Sequence, residues 1–134
     1  MFITVNKNVT TRLFEKINGD VINPGPGTVV DNVIVENDSQ NMFDFYMVAN
    51  DNPKTACALP VHYSVITNTT NMNKREIQDL VHQQCYAYQG FGGPIKTPAS
   101  VMYAHKIAMY AHDCKFMDIK AQPSAKLSQK LHYL

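Results

Sequence analysis

The feature that most constrains the fold is a change in hydrophobic spacing near the middle of this 134-residue chain. Before that change, residues 43–48 and 61–66 form apolar, partly β-branched runs bounded by Asn, Asp and Pro, which is typical of strands covered on both faces. After it, apolar residues recur every three or four positions between Asn73 and Gly90, which is the spacing of an amphipathic helix. Strands followed by helices that cover them predict an α/β fold.

Three helices are expected in the second half of the chain. The first begins at Asn73, because Glu76 three residues later completes a capping-box pattern, and it ends at Gly90. The second runs from about Pro98 to His112, and a short third helix is expected from Ser124 to His132. We expect the large side chains of the second helix to pack into the core: Met102, Tyr103, Met109 and Tyr110.

The first 35 residues predict short strands joined by a long polar loop. Residues 3–5 and 12–14 have the composition of strands, residues 16–27 form a loop rich in Gly, Pro and Asn, and a further strand is predicted over 28–35. The glycines of this loop do not make a phosphate-binding loop, because neither the required lysine nor the Ser or Thr after it is present. A connector that leads into the next strand is the better interpretation.

Length and composition predict one soluble, globular domain with no internal boundary. No apolar run approaches the ~20 residues of a membrane span, and the amino end lacks the pattern of a secretory signal. We therefore expect an intracellular protein, cytoplasmic or nuclear, with no membrane partner. Cys57, Cys85 and Cys114 are widely spaced and lack a Cys-x-x-Cys pattern, which predicts reduced thiols rather than disulfides or a zinc finger.

The charge is divided unevenly along the chain, although the total is only +1. Residues 90–134 carry six lysines and two aspartates, a net charge of +4, whereas residues 1–89 carry six basic and nine acidic side chains, a net charge of −3. At the start of the basic part, Lys96 precedes Thr97, which can cap a helix, and Pro98, which suits the first helical position. A helix N-terminus beside a lysine suits a phosphate, although many surface helices begin this way with nothing bound. The last third is therefore the candidate face for a polyanion.

Short motifs follow one another in a fixed order over essentially the whole chain. They are Thr11-Arg12-Leu13-Phe14, Asn23-Pro24-Gly25-Pro26-Gly27-Thr28-Val29-Val30-Asp31, Phe43-Asp44-Phe45-Tyr46, Pro60-Val61-His62-Tyr63, Cys85-Tyr86-Ala87-Tyr88, Pro98-Ala99 with Tyr103-Ala104-His105-Lys106, and the final Leu127-Ser128-x-x-Leu131-x-Tyr133-Leu134. In this order and spacing they resemble the C-terminal part of the PIWI domain of the Argonaute family, and most closely its Piwi branch.

The resemblance implies that residues 1–134 are the C-terminal portion of a PIWI domain, as a single incomplete domain. The implied fold is the C-terminal half of a ribonuclease H-like α/β fold, in which short strands are followed by sheet-covering helices. The implied function is small-RNA-guided gene silencing. Its partners would be a small guide RNA, a complementary target RNA, the remainder of the PIWI domain and a MID domain.

Family members that cut RNA hold two divalent metal ions with an Asp, Glu, Asp and His or Asp set. By resemblance, His105 matches the last member of that set, and the other three positions lie before residue 1. Without the resemblance, His105 would be interpreted as a structural helix histidine. Because one ligand cannot hold two metal ions, Mg²⁺ or Mn²⁺ is expected only in the full domain of a parent RNA endonuclease. Asp31 stays unassigned, because the family's catalytic aspartates belong to other segments.

The resemblance also implies two residues in guide binding. Lys96 matches a position that contacts the guide backbone. In the Piwi branch the C-terminal carboxylate, here that of Leu134, helps to hold a metal ion at the guide 5′ phosphate. Two places depart from the family pattern: Thr55–Leu59 replaces a segment of polar side chains, and Tyr110 stands where the Argonaute branch has an arginine.

Two alternatives remain open at the level of sequence. One is a non-catalytic guide-binding or protein-interaction module, in a silencing protein that has lost its carboxylates. The other is a truncated product with no independent role. The apolar start Met1-Phe2-Ile3 looks like a strand cut from its sheet, which predicts poor solubility because unpaired strand edges aggregate.

Overall fold

A computed structural model describes residues 1–35, 41–51, 56–120, 125–127 and 130 of the chain. Six strands precede two helices in these residues. The strands are β1 (Phe2–Asn6), β2 (Glu15–Ile17), β3 (Asp20–Ile22), β4 (Thr28–Val30), β5 (Phe43–Val48) and β6 (Val61–Thr67), and the helices are α1 (Lys74–Tyr86) and α2 (Ala99–Phe116). None of the described helices is long and apolar enough to cross a membrane.

Four strands form an antiparallel sheet in the order β1-β6-β5-β4. Residues on β5 and β6 alternate between the two faces, and the register places Phe45 opposite Tyr63 and Met47 opposite Val61. These four side chains are almost completely buried and form the core together with one face of α1. On the other face of the sheet, the His62 Nε2 atom lies 2.9 Å from Asp44 Oδ2.

The capping box predicted for α1 is confirmed. The Asn73 side chain accepts a hydrogen bond from the Glu76 backbone N–H at 3.0 Å, and the Glu76 carboxylate accepts one from the Asn73 N–H at 2.7 Å. Together these bonds satisfy two of the free donors at the start of the helix. Ile77, Val81 and Cys85 follow at helical spacing and are buried against the sheet.

Helix α2 begins one residue later and ends four residues later than predicted. Its N-cap is Pro98, with no hydrogen bond from a capping side chain, so Thr97 is not the cap. Only Ala99 and Cys114 are buried, whereas Met109 is 55% exposed and Tyr110 is 37% exposed. The prediction that these two side chains lie in the core is therefore wrong for this chain, because α1 already covers the sheet.

The first 35 residues also depart from the prediction. Residues 12–14 are not a strand, and an isolated hairpin, β2 and β3, lies where a loop was expected. Its turn is Asn18-Gly19, both with positive φ, which is the strongest short hairpin signal in a sequence. β4 ends at Val30, and Val33 has a left-handed φ of 64°, so the strand predicted to Val35 is shorter. The third predicted helix, Ser124 to His132, lies mostly outside the described residues.

Candidate nucleic-acid interface

A depression of about 320 Å³ lies between the turn after β1 and the start of α2. Three segments line it: Lys7 and Asn8 after β1, Lys96 and Thr97 before α2, and Val101, Met102 and His105 on α2. Among the described residues, the lining contains two lysines and one histidine and no Asp or Glu. Such a surface favours an anionic ligand.

The Lys96 side chain is held in this depression by a contact that spans most of the chain. Its Nζ donates a hydrogen bond to the backbone carbonyl of Lys7 at 2.8 Å, although 89 residues separate the two. Burial lowers the pKa of Lys96, and the nearby charges of Arg12 and Lys7 lower it further. Three positive charges therefore lie close together, and a phosphate would relieve their mutual repulsion.

Arg12 shapes the turn that carries Lys7. One guanidinium nitrogen, Nη1, donates to the carbonyl oxygens of Val9, Thr10 and Thr11 at 3.1, 3.0 and 2.9 Å. Asn6 assists by accepting a hydrogen bond from the backbone N–H of Asn8 at 3.2 Å. These contacts fix an irregular segment that the sequence predicts only as a polar turn.

His105 lies on α2 one turn after Val101, and its side chain is exposed. An exposed imidazole in a depression can bind a metal ion or a phosphate oxygen. No group of three or more His, Cys, Asp or Glu side chains that could hold a metal ion occurs within the described residues. His105 therefore fits as one ligand, and further ligands would have to come from outside these residues.

Tyr88, in the segment after α1, and Tyr103, on α2, form an aromatic pair. The rings of Tyr88 and Tyr103 are 5.4 Å apart, and the Lys106 Nζ lies 5.8 Å from the centre of the Tyr88 ring. The backbone N–H of Gln89 donates to the Tyr103 hydroxyl at 3.1 Å, which joins the segment after α1 to α2. Aromatic rings beside a lysine are typical of surfaces on which bases stack.

The structure brings together Lys96 and His105, two of the three residues singled out by sequence. Leu134, the third, lies outside the described residues. Lys7 and Tyr88 were not predicted. For Lys7 no local signal exists, because its neighbour Lys96 is far away in sequence. For Tyr88, the repeat of Tyr86 and Tyr88 before a glycine-rich loop was available as a signal.

The segment that departs from the family pattern is held by Asn23. The Asn23 side chain donates to the Ala56 carbonyl at 2.6 Å and accepts from the Ala58 N–H at 2.8 Å. Cys57 between them is exposed as a free thiol. The segment therefore presents few polar side chains in its described part.

Sequence comparison connects the chain to known proteins. A sequence profile of the Piwi domain matches residues 1–114. Piwi-like protein 1 of Gallus gallus is 35% identical over 98% of this chain, and Piwi-like protein 3 of Homo sapiens is 34% identical over 99%. The chain spans only 14% of the length of each of these relatives.

Solved structures of Piwi and Argonaute proteins contain the same fold. The crystal structure of Drosophila Piwi superposes with a TM-score of 0.73 at 29% identity, over 98% of this chain and 17% of that one. The crystal structure of Kluyveromyces polysporus Argonaute with a guide RNA superposes with a TM-score of 0.75 at 20% identity, over 98% of this chain and 18% of that one. These likenesses confirm the predicted α/β, ribonuclease H-like fold.

Proposed function

This chain belongs to the Piwi domain family, and on that premise we propose that it forms part of the guide-RNA-binding surface of a protein that silences genes under the direction of small RNAs. The observation that carries the proposal is the depression shared by Lys96 and His105, whose described lining residues include no carboxylate. The Kluyveromyces polysporus Argonaute that shares the fold was crystallised with a guide RNA. The partners of the parent protein would be a small guide RNA and a complementary target RNA.

Lys96 is proposed to contact a phosphate of the guide backbone. Its amino group is already oriented by the Lys7 carbonyl and retains two further N–H donors for a ligand. Lys7 and Arg12 add positive charge nearby, so a bound phosphate would be stabilised by more than one cation. Tyr88 and Tyr103, beside Lys106, would supply ring surfaces for bases.

His105 is proposed as one ligand of a two-metal, RNA-cleaving site in the full domain. A pair of Mg²⁺ or Mn²⁺ ions, when bound, activates water and stabilises the leaving oxygen. His105 would supply an imidazole nitrogen to that site, and the remaining carboxylate ligands would come from the preceding part of the PIWI domain. In a parent protein whose last residue is Leu134, the carboxylate of Leu134 is proposed to help hold a metal ion at the guide 5′ phosphate, where the MID domain meets the PIWI domain.

Binding and cleavage measurements on the parent protein test these roles separately. A 5′-phosphorylated single-stranded RNA is titrated with and without magnesium, and cleavage of a complementary target is scored in parallel. Lys96→Ala should weaken binding and lower the slope of log affinity against log salt by about 0.7, because one phosphate contact is lost. Lys120→Ala removes an exposed lysine outside the depression and should leave that slope unchanged.

His105→Ala should abolish cleavage while guide binding persists. The control variant is His112→Ala, because His112 is exposed on the same helix. Deletion of Leu134 should weaken only the binding that depends on the 5′ phosphate. Binding without cleavage by the unmodified protein would favour the non-catalytic alternative. Absence of any RNA binding would refute the proposal.

A further inference from the structure

The hairpin β2–β3 is separate from the four-stranded sheet. Within the described residues its two strands pair only with each other, and the register places Ile17 opposite Asp20, so Asn18 and Gly19 form the turn. Every residue of both strands and of the turn is exposed. An isolated two-stranded hairpin is at best marginally stable in water. We therefore expect this hairpin to open far more readily than the buried strands β5 and β6.

Contacts on both sides limit the segment that opens. After β3, the Asn23 side chain donates to the Ala56 carbonyl at 2.6 Å and accepts from the Ala58 N–H at 2.8 Å. Before β2, the Arg12 guanidinium is hydrogen-bonded to the carbonyls of the three preceding residues. Opening can therefore be confined to residues 13–22, while the core strands stay paired.

The turn contains the one dipeptide in which an asparagine loses its amide most readily. The backbone nitrogen of Gly19 attacks the Asn18 Cγ atom, ammonia leaves, and a five-membered succinimide ring forms. Glycine favours this step because it has no Cβ to obstruct its nitrogen. The surroundings of Gly19 are also open, since a Cβ added there would meet no atom within 4 Å. Asn18-Gly19 is the only Asn-Gly pair in the sequence.

The folded turn opposes this reaction, so its rate depends on opening of the hairpin. Asn18 has a φ of 53° and Gly19 a φ of 98°, and positive φ at both positions is typical of a type I′ turn. The succinimide ring holds the ψ angle of Asn18 in a range that this turn does not have, so the turn must open before the ring closes. Because a marginally stable hairpin is open at least about a tenth of the time, the reaction should be at most about tenfold slower than in an unstructured peptide.

We propose that Asn18 is a site of spontaneous deamidation, and that the isoaspartate formed there opens the hairpin. Water hydrolyses the succinimide at either carbonyl carbon: attack at the main-chain carbon of residue 18 yields isoaspartate, and attack at Cγ yields aspartate. Isoaspartate adds one methylene group to the main chain of the turn, so the pairing of Ile17 with Asp20 is lost. Aspartate keeps the turn, because Asp-Gly also suits type I′. None of these steps depends on the proposed RNA function.

Mass spectrometry of the peptide that covers residues 15–22 measures the reaction in the parent protein at mildly alkaline pH, where the attacking nitrogen loses its proton more readily. Asn71 is the internal control, because it is exposed and precedes Met72 rather than glycine. We expect the Asn18 amide to be lost faster than the Asn71 amide, and at most about tenfold more slowly than in a synthetic peptide of residues 15–22. Electron-transfer fragmentation distinguishes isoaspartate from aspartate in the product.

Hydrogen exchange at short labelling times tests the effect on the hairpin. Protein enriched in isoaspartate should lose protection over residues 15–22 and keep it over β6. Asn18→Asp carries the new charge without the added methylene group and should keep the protection. Asn18→Gly retains a turn sequence that suits type I′ and has no side-chain amide, so it should neither react nor lose protection during the incubation.

Three results would each overturn the proposal. The first is loss of the Asn18 amide no faster than that of Asn71. The second is a rate in the protein far more than tenfold below that of the peptide, because the hairpin would then open too rarely. The third is formation of isoaspartate without loss of protection over residues 15–22.

Discussion

Replacement of Tyr63 by Phe is expected to stabilise the core, although it removes an atom from a fully buried side chain. The Tyr63 ring stacks on the Phe45 ring, with centroids 4.9 Å apart and an angle of 13° between the planes. Phenylalanine can make the same contact. The only loss is a hydroxyl for which, within the described part of the chain, the weakly accepting Cys85 sulfur is the neighbouring acceptor.

The magnitude follows from the cost of an unsatisfied polar group. A buried hydroxyl without a partner costs about 1–3 kcal/mol relative to its hydrated state in the unfolded chain. The adjacent Cys85 thiol offsets a part of this cost, because sulfur is a weak acceptor and its own proton is directed to Val81. We therefore expect Tyr63→Phe to raise the free energy of unfolding by about 1 kcal/mol.

Amide hydrogen exchange of the peptide that covers β6 measures this change within the parent protein. A gain of about 1 kcal/mol slows exchange about fivefold when exchange requires opening of the core. Tyr46→Phe, at a half-buried position on the opposite face of the sheet, is the matched control and should not slow exchange. Faster exchange in Tyr63→Phe would refute the reasoning, because it would mean that the hydroxyl makes a favourable contact.

Three further predictions concern α1, alkaline pH and solubility. Asn73→Ala should destabilise α1 by about 1 kcal/mol, because the helix loses its cap. Hydrogen exchange of the α1 amides measures the effect, and Asn71→Ala is the control. An effect of Asn73→Ala no larger than that of Asn71→Ala would contradict the capping role. Burial raises the pKa of Cys85 to about 11 from 9.0. The folded state therefore holds the thiol proton more tightly than the unfolded state, and this contribution to the free energy of unfolding is fully present below pH 9. It falls by up to about 2 kcal/mol as the pH rises to 11. Between pH 8 and pH 10.5, the midpoint of thermal unfolding should fall less for Cys85→Ala than for the unmodified protein. Equal falls in the two proteins would contradict the role of the Cys85 thiol. The isolated chain should aggregate, because β1 is an edge of the described sheet and α2 exposes apolar side chains; a monodisperse, cooperatively melting monomer by light scattering and calorimetry would disprove it.

Local signals explain the elements that sequence predicted well. The capping residues of α1 and the alternating apolar residues of β5 and β6 act over a few positions, so their structure follows from neighbouring residues. The hairpin β2–β3 is also encoded locally, by Asn18-Gly19, although the Gly, Pro and Asn residues that follow this pair are equally typical of a loop. The exposure of Met109 and Tyr110 on α2 does not follow from the sequence, because helical spacing does not reveal which neighbour a helix face meets.

The residues of the candidate site divide in the same way, between those that a local pattern identifies and those that only distant contacts identify. By itself, the sequence determined that strands precede helices and, through its resemblance to a family, drew attention to Lys96 and His105. Only the tertiary structure decided that Lys96 is held by the carbonyl of Lys7, that both line one depression with His105, and that Tyr63 is fully buried. These features depend on contacts between segments far apart in the chain. Such contacts form only when the sheet and helices pack, because no local spacing brings distant residues together.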